Sequence, residues 1–242
     1  GFNHIDIQAA KAAGIKVGFT PEVLTETVAD LAVGVTLATC RRFKEASAAV
    51  TNGSWGTWQP LWMCGVDVHH STVGIFGLGR IGFAVAKRFR AFDCKIIYTD
   101  RYENPHAGQL DATRVPLEQL LAESDIIIPF CPSLPETHEM FNAELFGKMK
   151  KTAVFINVAR GDIVQQQDLI EALKSNTIYG AGLDVTTPEP LPIDSELNSL
   201  SNCFIVPHIA SATAQTRGDM AALASKNLIA AFEGRPLPKE VK

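Results

Sequence analysis

The sequence predicts an α/β protein built on a doubly wound, parallel sheet. Short apolar runs of strand length alternate with stretches of helical period, and this alternation favours parallel strands joined by right-handed crossovers. A glycine-rich turn joins one of these runs to a helix, and the next run ends in an aspartate. With 46% hydrophobic residues among 242, the chain can bury one large core or one and a half smaller ones, so we expect one main domain and a piece of another.

The glycine-rich turn has the spacing G-x-G-x-x-G, formed by Gly77, Gly79 and Gly82 after a β-rich run. Gly77 permits a tight turn, Gly79 lets the backbone approach a pyrophosphate, and Gly82 lets the next helix pack closely on the sheet. The free N–H groups of that helix would face the phosphates. Asp100 lies 23 positions after Gly77 at the end of the run 95–99, near the place of a ribose-binding carboxylate. These features predict a Rossmann domain that binds a dinucleotide.

The remaining elements follow from periodicity. Before the glycine-rich turn we expect a helix over 5–13, a short strand over 14–19, and a long helix over 22–42 whose apolar residues keep a 3.6 period. After the turn and its aspartate, the pattern predicts helices over 117–122, 142–149, 168–175 and 213–232, and strands over 125–130, 153–158, 180–185 and 203–206.

Composition argues against several kinds of partner. A net charge of −4 gives no electrostatic footprint for nucleic acid or an anionic membrane surface, so we expect neither. The longest uncharged apolar run, 31–40, is about half of the roughly 20 residues that cross a bilayer. We find no metal-ligand spacing and expect no metal. Five scattered cysteines without a C-x-x-C pair indicate reduced thiols in a cytoplasmic protein, namely Cys40, Cys64, Cys94, Cys131 and Cys203.

Three tryptophans lie in the stretch 51–67, which has no clear period and is expected to form a loop. Trp55, Trp58 and Trp62 in such a loop are more typical of a packed arm or a subunit contact than of a catalytic feature. An exposed apolar arm is a large apolar surface for a monomer. We therefore expect a homodimer.

Candidate site residues directly follow predicted strands, where ligands of doubly wound sheets bind. Arg160 precedes Gly161 at the end of one strand, and its guanidinium can bind a carboxylate in bidentate fashion. His208 follows the last strand, with Asp184 and Glu189 as the acidic candidates near it. A histidine paired with a carboxylate in a nucleotide crevice is a candidate for proton transfer.

The whole chain resembles the D-2-hydroxyacid dehydrogenases, and within them the glyoxylate/hydroxypyruvate reductases. The segments that carry the resemblance are the glycine-rich turn 77–82 and the segments 157–162, 182–192 and 207–213. The resemblance implies hydride transfer from NADH or NADPH to glyoxylate or hydroxypyruvate, giving glycolate or D-glycerate. Two alternative functions stay open. The chain could be another D-2-hydroxyacid dehydrogenase, such as a D-3-phosphoglycerate dehydrogenase, or a dinucleotide-sensing protein similar to the C-terminal-binding protein corepressors.

The resemblance also implies roles for individual residues. Arg160 binds the substrate, His208 donates a proton, and Glu189 favours the protonated imidazole. Gly1, Ser211 and Trp58 complete the substrate-binding set together with Arg160 and His208, and Trp58 reaches toward the neighbouring subunit's site. The implied cofactor-binding residues are Gly77, Gly79, Arg80, Ile81, Gly82, Asp100, Arg101, Pro132, Val158, Asp184, which holds the nicotinamide carboxamide, and Ala210.

The same resemblance implies a division into domains. Residues 1–20 are expected to be the remnant of a flavodoxin-like substrate domain whose front is absent, 21–208 the NAD(P)-binding Rossmann domain, and 209–242 a helix returning to the substrate domain. Two residues depart from the family pattern. Ala210 stands where the family usually has glycine, and Asn3 where it often has aspartate.

Two adjacent residues give opposed indications of the preferred cofactor. Asp100 can accept hydrogen bonds from the ribose hydroxyls of NADH and would repel a 2′-phosphate. Arg101 beside it can accommodate that phosphate. We expect the carboxylate to favour NADH, with NADPH still usable because of Arg101.

Overall fold

The structure is a computed structural model and describes residues 1–2 and 4–241. Its chain forms two compact units, one of residues 1–28 with 211–242 and the other of residues 29–210. Position 3, where Asn3 departs from the family pattern, lies outside the described residues.

The larger unit is built on a seven-stranded, parallel sheet. Its strands are β1 (Thr72–Phe76), β2 (Lys95–Thr99), β3 (Thr113–Arg114), β4 (Ile126–Pro129), β5 (Val154–Asn157), β6 (Gly180–Leu183) and β7 (Cys203–Ile205). They lie in the order β3-β2-β1-β4-β5-β6-β7, so the direction of strand addition reverses beside β1. This order confirms the predicted doubly wound sheet of Rossmann type and puts its ligand crevice beside the carboxyl end of β1.

Helices connect the strands. They are α1 (Ile7–Ala12), α2 (Thr25–Cys40), α3 (Phe43–Thr51), α4 (Arg80–Arg90), α5 (Leu117–Glu123), α6 (Ala143–Gly147), α7 (Gln166–Lys174), α8 (Glu196–Ser199) and α9 (Ala214–Phe232). Strands β4 and β5 are buried along their whole length, as expected where helices cover both faces of a parallel sheet. On β5, Phe155 packs against Phe141 and Phe146, with ring centroids 5.1 and 5.4 Å apart.

The smaller unit contains α1 and α9. Asn227 on α9 is buried, donates from its amide nitrogen to the carbonyl oxygen of Phe19 and accepts a hydrogen bond from the N–H of Lys239. Gly18 forms an isolated antiparallel bridge with Glu240. Asn227 therefore ties both the segment before α2 and the segment after α9 to the same helix.

The structure corrects one predicted element and adds others. The strand predicted over 14–19 is wrong, because Gly18 makes only a single bridge and the Ile15 side chain, which a strand would bury, is 61% exposed. Helix α3 was missed because Arg42 adopts a left-handed conformation with φ of 56° and starts a new helix directly after α2. Strand β3 and helix α8 are too short to show a period.

Among the described residues, no helix combines the length and the apolar character that crossing a bilayer requires.

All five cysteines are free thiols. Burial raises the pKa of Cys40 to about 12 and that of Cys203 to about 12. Both thiols therefore stay protonated at neutral pH, and neither acts as a thiolate nucleophile.

Candidate active site

The carboxyl edge of the sheet gathers most of the predicted site residues within the larger unit. Because all seven strands are parallel, the residue that follows each strand lies at the same edge. In chain order these residues are Gly77 after β1, Asp100 after β2, Pro132 after β4, Val158 and Arg160 after β5, Asp184 after β6, and His208 after β7.

The glycine-rich turn joins β1 to α4. Gly77 has a φ of +98°, and a Cβ there would lie 2.9 Å from the carbonyl oxygen of Phe130. A Cβ on Gly82 would collide with the carbonyl oxygen of Gly77. Gly79 is the N-cap of α4 and has open space where its side chain would be. This space in front of the helix N-terminus, where α4 begins with Arg80 and Ile81, suits an anion.

Asp100 and Arg101 have separate partners. The Oδ2 atom of half-buried Asp100 accepts a hydrogen bond of 2.9 Å from the N–H of Leu78, inside the glycine-rich turn. Arg101 is exposed and forms an ion pair of 3.0 Å with Glu136, in the loop after β4. The Asp100 carboxylate is therefore held at the turn, and the Arg101 guanidinium is directed to another loop.

The loops after β4 and β5 contact each other. Pro132 is exposed and Val158 is buried, and Ser133 Oγ donates a 2.5 Å hydrogen bond to Oδ2 of Asp162. Burial raises the pKa of the neighbouring Cys131 thiol to about 11. This thiol stays protonated at neutral pH and is not a nucleophile in the crevice.

Arg160 lies on a loop that packs closely against the loop after β6. Its carbonyl oxygen accepts a 2.7 Å hydrogen bond from the side chain of Asn157, and its Nη1 atom donates to the carbonyl oxygen of Ala159 at 2.6 Å. A Cβ on Gly161 would collide with the carbonyl oxygen of Thr186. The glycine thus allows the loop of Arg160 to approach the loop that carries Glu189.

Glu189 and His208 form the pair that the sequence predicted. His208 Nδ1 lies 2.8 Å from Glu189 Oε2, while Glu189 Oε1 accepts a 3.0 Å hydrogen bond from the N–H of Thr186. Nε2 of His208 has no hydrogen-bond partner among the described residues. His208 has a φ of 52°, a conformation that is rare outside glycine and is enriched at functional sites. The carboxylate is thus fixed at both oxygens, and the second ring nitrogen is left available to a ligand.

Asp184 fixes the segment that carries His208. It is buried, and its two carboxylate oxygens accept hydrogen bonds from the N–H groups of Ile209 at 2.6 Å and Ala210 at 3.0 Å. Its own carbonyl oxygen accepts from the N–H of His208 at 2.9 Å. Burial raises the pKa of the Asp184 carboxyl group above its ordinary value, and the two N–H donors oppose that rise by stabilising the anion. Its contact with a nicotinamide carboxamide stays a prediction.

We expect Asp184→Asn to lower the free energy of unfolding by about 1–3 kcal/mol, the penalty for leaving a buried donor without an acceptor. An asparagine keeps one acceptor oxygen, but its amide nitrogen would face the second backbone N–H. Urea denaturation measures the change. Asp194→Asn, at an exposed aspartate, is the matched control, and an equal, small loss in both variants would contradict this role of Asp184.

The other predicted site residues lie elsewhere. The Trp58 side chain is 80% exposed, in the larger unit. Gly1 and Ser211 belong to the smaller unit. Their roles in substrate binding stay predictions.

Three contacts at the carboxyl edge were not predicted from the sequence. They are those of Leu78 with Asp100, Glu136 with Arg101, and Thr186 with Glu189.

The family described as D-isomer specific 2-hydroxyacid dehydrogenase, NAD binding domain, matches residues 33–210. The chain belongs to this family. The match confirms the predicted class of enzyme, an NAD-binding dehydrogenase, and accounts for the crevice with its glycine-rich turn at the carboxyl edge.

Relatives of this dehydrogenase are similar over nearly its whole length. The glyoxylate reductase/hydroxypyruvate reductase of Homo sapiens is 50% identical over 244 aligned positions, which span 100% of this chain and 74% of the human protein. Glyoxylate/hydroxypyruvate reductase B of Escherichia fergusonii is 45% identical over 97% of this chain and 73% of its own length. The crystal structure of NADPH-dependent glyoxylate/hydroxypyruvate reductase from Sinorhizobium meliloti, in complex with NADP and malonate, has a TM-score of 0.90 at 36% identity, covering 100% of this chain and 75% of that one.

Proposed function

We propose that this dehydrogenase reduces glyoxylate or hydroxypyruvate to glycolate or D-glycerate with a reduced nicotinamide dinucleotide. The observation that carries the proposal is the pair of Glu189 and His208, 2.8 Å apart, at the same sheet edge as the glycine-rich turn and Arg160. In this proposal His208 is the proton donor, Arg160 is the cation that binds the carboxylate, and the glycine-rich turn holds the dinucleotide, all within one unit. The reductase names of its relatives support the choice of a small 2-oxo acid.

Three side chains have separate roles in the reduction of the substrate. Arg160 binds the carboxylate of the 2-oxo acid and orients its carbonyl group, since a guanidinium can form two parallel hydrogen bonds to a carboxylate. His208 donates a proton from Nε2 to the carbonyl oxygen as that atom gains negative charge. Glu189 holds the ring through Nδ1 and stabilises the charged imidazolium.

The residues of the glycine-rich turn and Asp100 would hold the dinucleotide, since Gly79 leaves room for a pyrophosphate and Asp100 lies at the end of the adjacent strand. When bound in reduced form, the dinucleotide supplies the hydride that is added to the carbonyl carbon. The products are then the 2-hydroxy acid and the oxidised dinucleotide, with one proton taken up through His208.

Steady-state turnover tests the substrate class. We would follow the loss of reduced-nicotinamide absorbance with glyoxylate, hydroxypyruvate and phosphohydroxypyruvate in separate assays, each with NADH and with NADPH. Higher kcat/KM with glyoxylate or hydroxypyruvate supports the proposal. Preference for phosphohydroxypyruvate would instead favour a D-3-phosphoglycerate dehydrogenase, and binding of the dinucleotide without turnover of any of the three would favour a dinucleotide-sensing protein.

We also propose the predicted domain roles. In this assignment residues 1–20 and 209–242 belong to the substrate domain and 21–208 form the dinucleotide-binding domain. The compact grouping of 1–28 with 211–242 supports this assignment, since the two terminal segments form one unit.

We expect a homodimer in solution, formed through the loop that carries the tryptophans. Trp55, Trp58 and Leu61 expose 66%, 80% and 84% of their surface, and Trp62 exposes 42%. Exposed apolar residues in such a cluster typically mark a protein contact, and a self-complementary contact closes as a symmetric dimer. Sedimentation at micromolar concentration should give twice the chain mass of 26.2 kDa.

The variant Trp58→Ala/Leu61→Ala removes the two most exposed large apolar side chains of this loop and should weaken the dimer. Ile193→Ala, at a residue that is 94% exposed outside the loop, is the matched control and should leave the mass unchanged. A monomeric mass for the unmodified protein would contradict the assembly and the reach of Trp58 into a second subunit's site.

For the cofactor, we propose that NADH is preferred over NADPH. The hydrogen bond from the N–H of Leu78 supports this choice, because it keeps the Asp100 carboxylate at the glycine-rich turn. The ion pair of Arg101 with Glu136 supports it as well, because a 2′-phosphate would have to compete with Glu136 for the guanidinium. The NADPH dependence stated for the Sinorhizobium meliloti enzyme belongs to a protein 36% identical to this one.

A further inference from the structure

A cluster of two imidazoles and a carboxylate lies at the edge of the sheet opposite the active site. His69 and His70 precede β1, and Asp93 precedes β2. The His69 Nε2 and Asp93 Oδ2 atoms are 3.3 Å apart, and one ligand atom from each of the three residues lies within 4.8 Å of the others. The two imidazole ring centroids are 3.6 Å apart.

The backbone brings these side chains together by an uncommon conformation. Successive side chains of an extended chain point to opposite sides, which would separate His69 from His70. His70 instead has a φ of 63°, in the left-handed region, and this turn places the two rings side by side. Few residues other than glycine, asparagine, aspartate and histidine adopt this region readily.

The two loops that carry the cluster are fixed to each other. The N–H of His70 donates to the carbonyl oxygen of Phe92 at 3.1 Å, and the N–H of Lys95 donates to the carbonyl oxygen of Ser71 at 3.0 Å. Buried Cys94 adds a contact from Sγ to the carbonyl oxygen of Val68 at 3.1 Å. The backbone on both sides of the cluster is therefore held in place, and only exposed side chains need to rotate to change the spacing of the ligand atoms.

We propose that His69, His70 and Asp93 form a binding site for a divalent transition-metal ion, with Zn²⁺ as the type case. Imidazole and carboxylate are both zinc ligands at about 2.0–2.2 Å, so that neighbouring ligand atoms of a tetrahedron lie about 3.3 Å apart. The spacing of His69 Nε2 and Asp93 Oδ2 already has this value. Three protein ligands leave a fourth position for water.

The site does not take part in hydride transfer, because it lies at the amino ends of β1 and β2 and the active-site residues follow the carboxyl ends. A bound ion would join the loop before β1 to the turn before β2. Since an ion that binds only the folded state stabilises it, zinc should raise the thermal midpoint of the protein. The spacing along the sequence does not indicate this site, because Asp93 is 23 positions from His70.

Isothermal titration of the tag-free protein with zinc chloride tests the proposal. We expect one zinc ion to bind per chain, with a Kd at least about tenfold higher in His69→Gln and in Asp93→Asn. Loss of a residue that only orients a metal ligand already lowers metal affinity about 10–100-fold, so loss of the ligand itself should lower it at least as much. Magnesium chloride should bind far more weakly, because Mg²⁺ selects oxygen ligands. His106→Gln, at another exposed histidine, is the matched control and should bind zinc as the unmodified protein does.

A second readout separates loss of the site from loss of the fold. Zinc should raise the thermal midpoint of the unmodified protein and of His106→Gln, and it should not raise that of Asp93→Asn, whose midpoint without metal shows whether it is folded. Equal zinc affinity in the unmodified protein and both cluster variants would overturn the proposal, as binding would then occur elsewhere, for instance at exposed Cys64. The absence of zinc binding at millimolar concentration would overturn it as well.

Discussion

His208→Ala should lower kcat about 10²–10⁴-fold, the usual contribution of a positioned acid or base. The imidazole is the group that Glu189 holds through Nδ1, and its Nε2 is left to donate a proton to the substrate oxygen. An alanine removes the proton donor and leaves the glycine-rich turn unchanged. The affinity for the reduced dinucleotide, measured by fluorescence titration, should therefore stay nearly constant while steady-state turnover falls.

His138→Ala is the matched control for this experiment. His138 is also an exposed histidine of the larger unit, and it belongs to none of the residues assigned to catalysis or binding. It should keep kcat within about twofold of the unmodified value, since a surface substitution away from special features changes little. Near-normal turnover of His208→Ala with hydroxypyruvate would remove His208 from the proposed mechanism and require another proton donor.

The parts of the fold that carry a period or a fixed spacing were predictable from the sequence. The glycine-rich turn is specific because Gly77 and Gly82 cannot hold a Cβ without meeting backbone oxygen atoms. The parallel topology then decides which residues meet, since each strand must end at the same edge. The pairing of Glu189 with His208 follows from that edge and from the family pattern.

The contacts that could not be predicted are made by backbone groups or between distant loops. The N–H groups of Leu78 and Thr186 hold Asp100 and Glu189, and a backbone N–H leaves no signature in the residue type. Asp184 is predicted to hold the cofactor, and both of its oxygens also accept hydrogen bonds from the segment after His208. This second contact depends on the left-handed turn at His208, which no periodicity reveals.

The charged residues after β2 allow a prediction of whether the enzyme prefers NADH or NADPH. The Asp100 carboxylate would lie within a few Å of a 2′-phosphate, and the Coulomb repulsion between two such charges is about 1–4 kcal/mol at the dielectric of water or of a protein surface. The Arg101 guanidinium would attract the same 2′-phosphate, but an exposed ion pair contributes only about 0–1 kcal/mol. That guanidinium also already contacts Glu136, with both side chains more than half exposed. The balance therefore favours NADH.

Asp100→Gly should raise kcat/KM for NADPH relative to NADH by about tenfold or more, which corresponds to about 1.4 kcal/mol of transition-state stabilisation. The glycine removes the charge that repels the 2′-phosphate and the acceptor that binds the ribose hydroxyls of NADH. Asp100→Asn is the matched variant, because it removes only the charge and keeps an oxygen that can accept from the N–H of Leu78. If repulsion dominates, the asparagine variant gives most of the shift. If the unmodified enzyme already prefers NADPH, Arg101 outweighs Asp100 and the electrostatic argument fails.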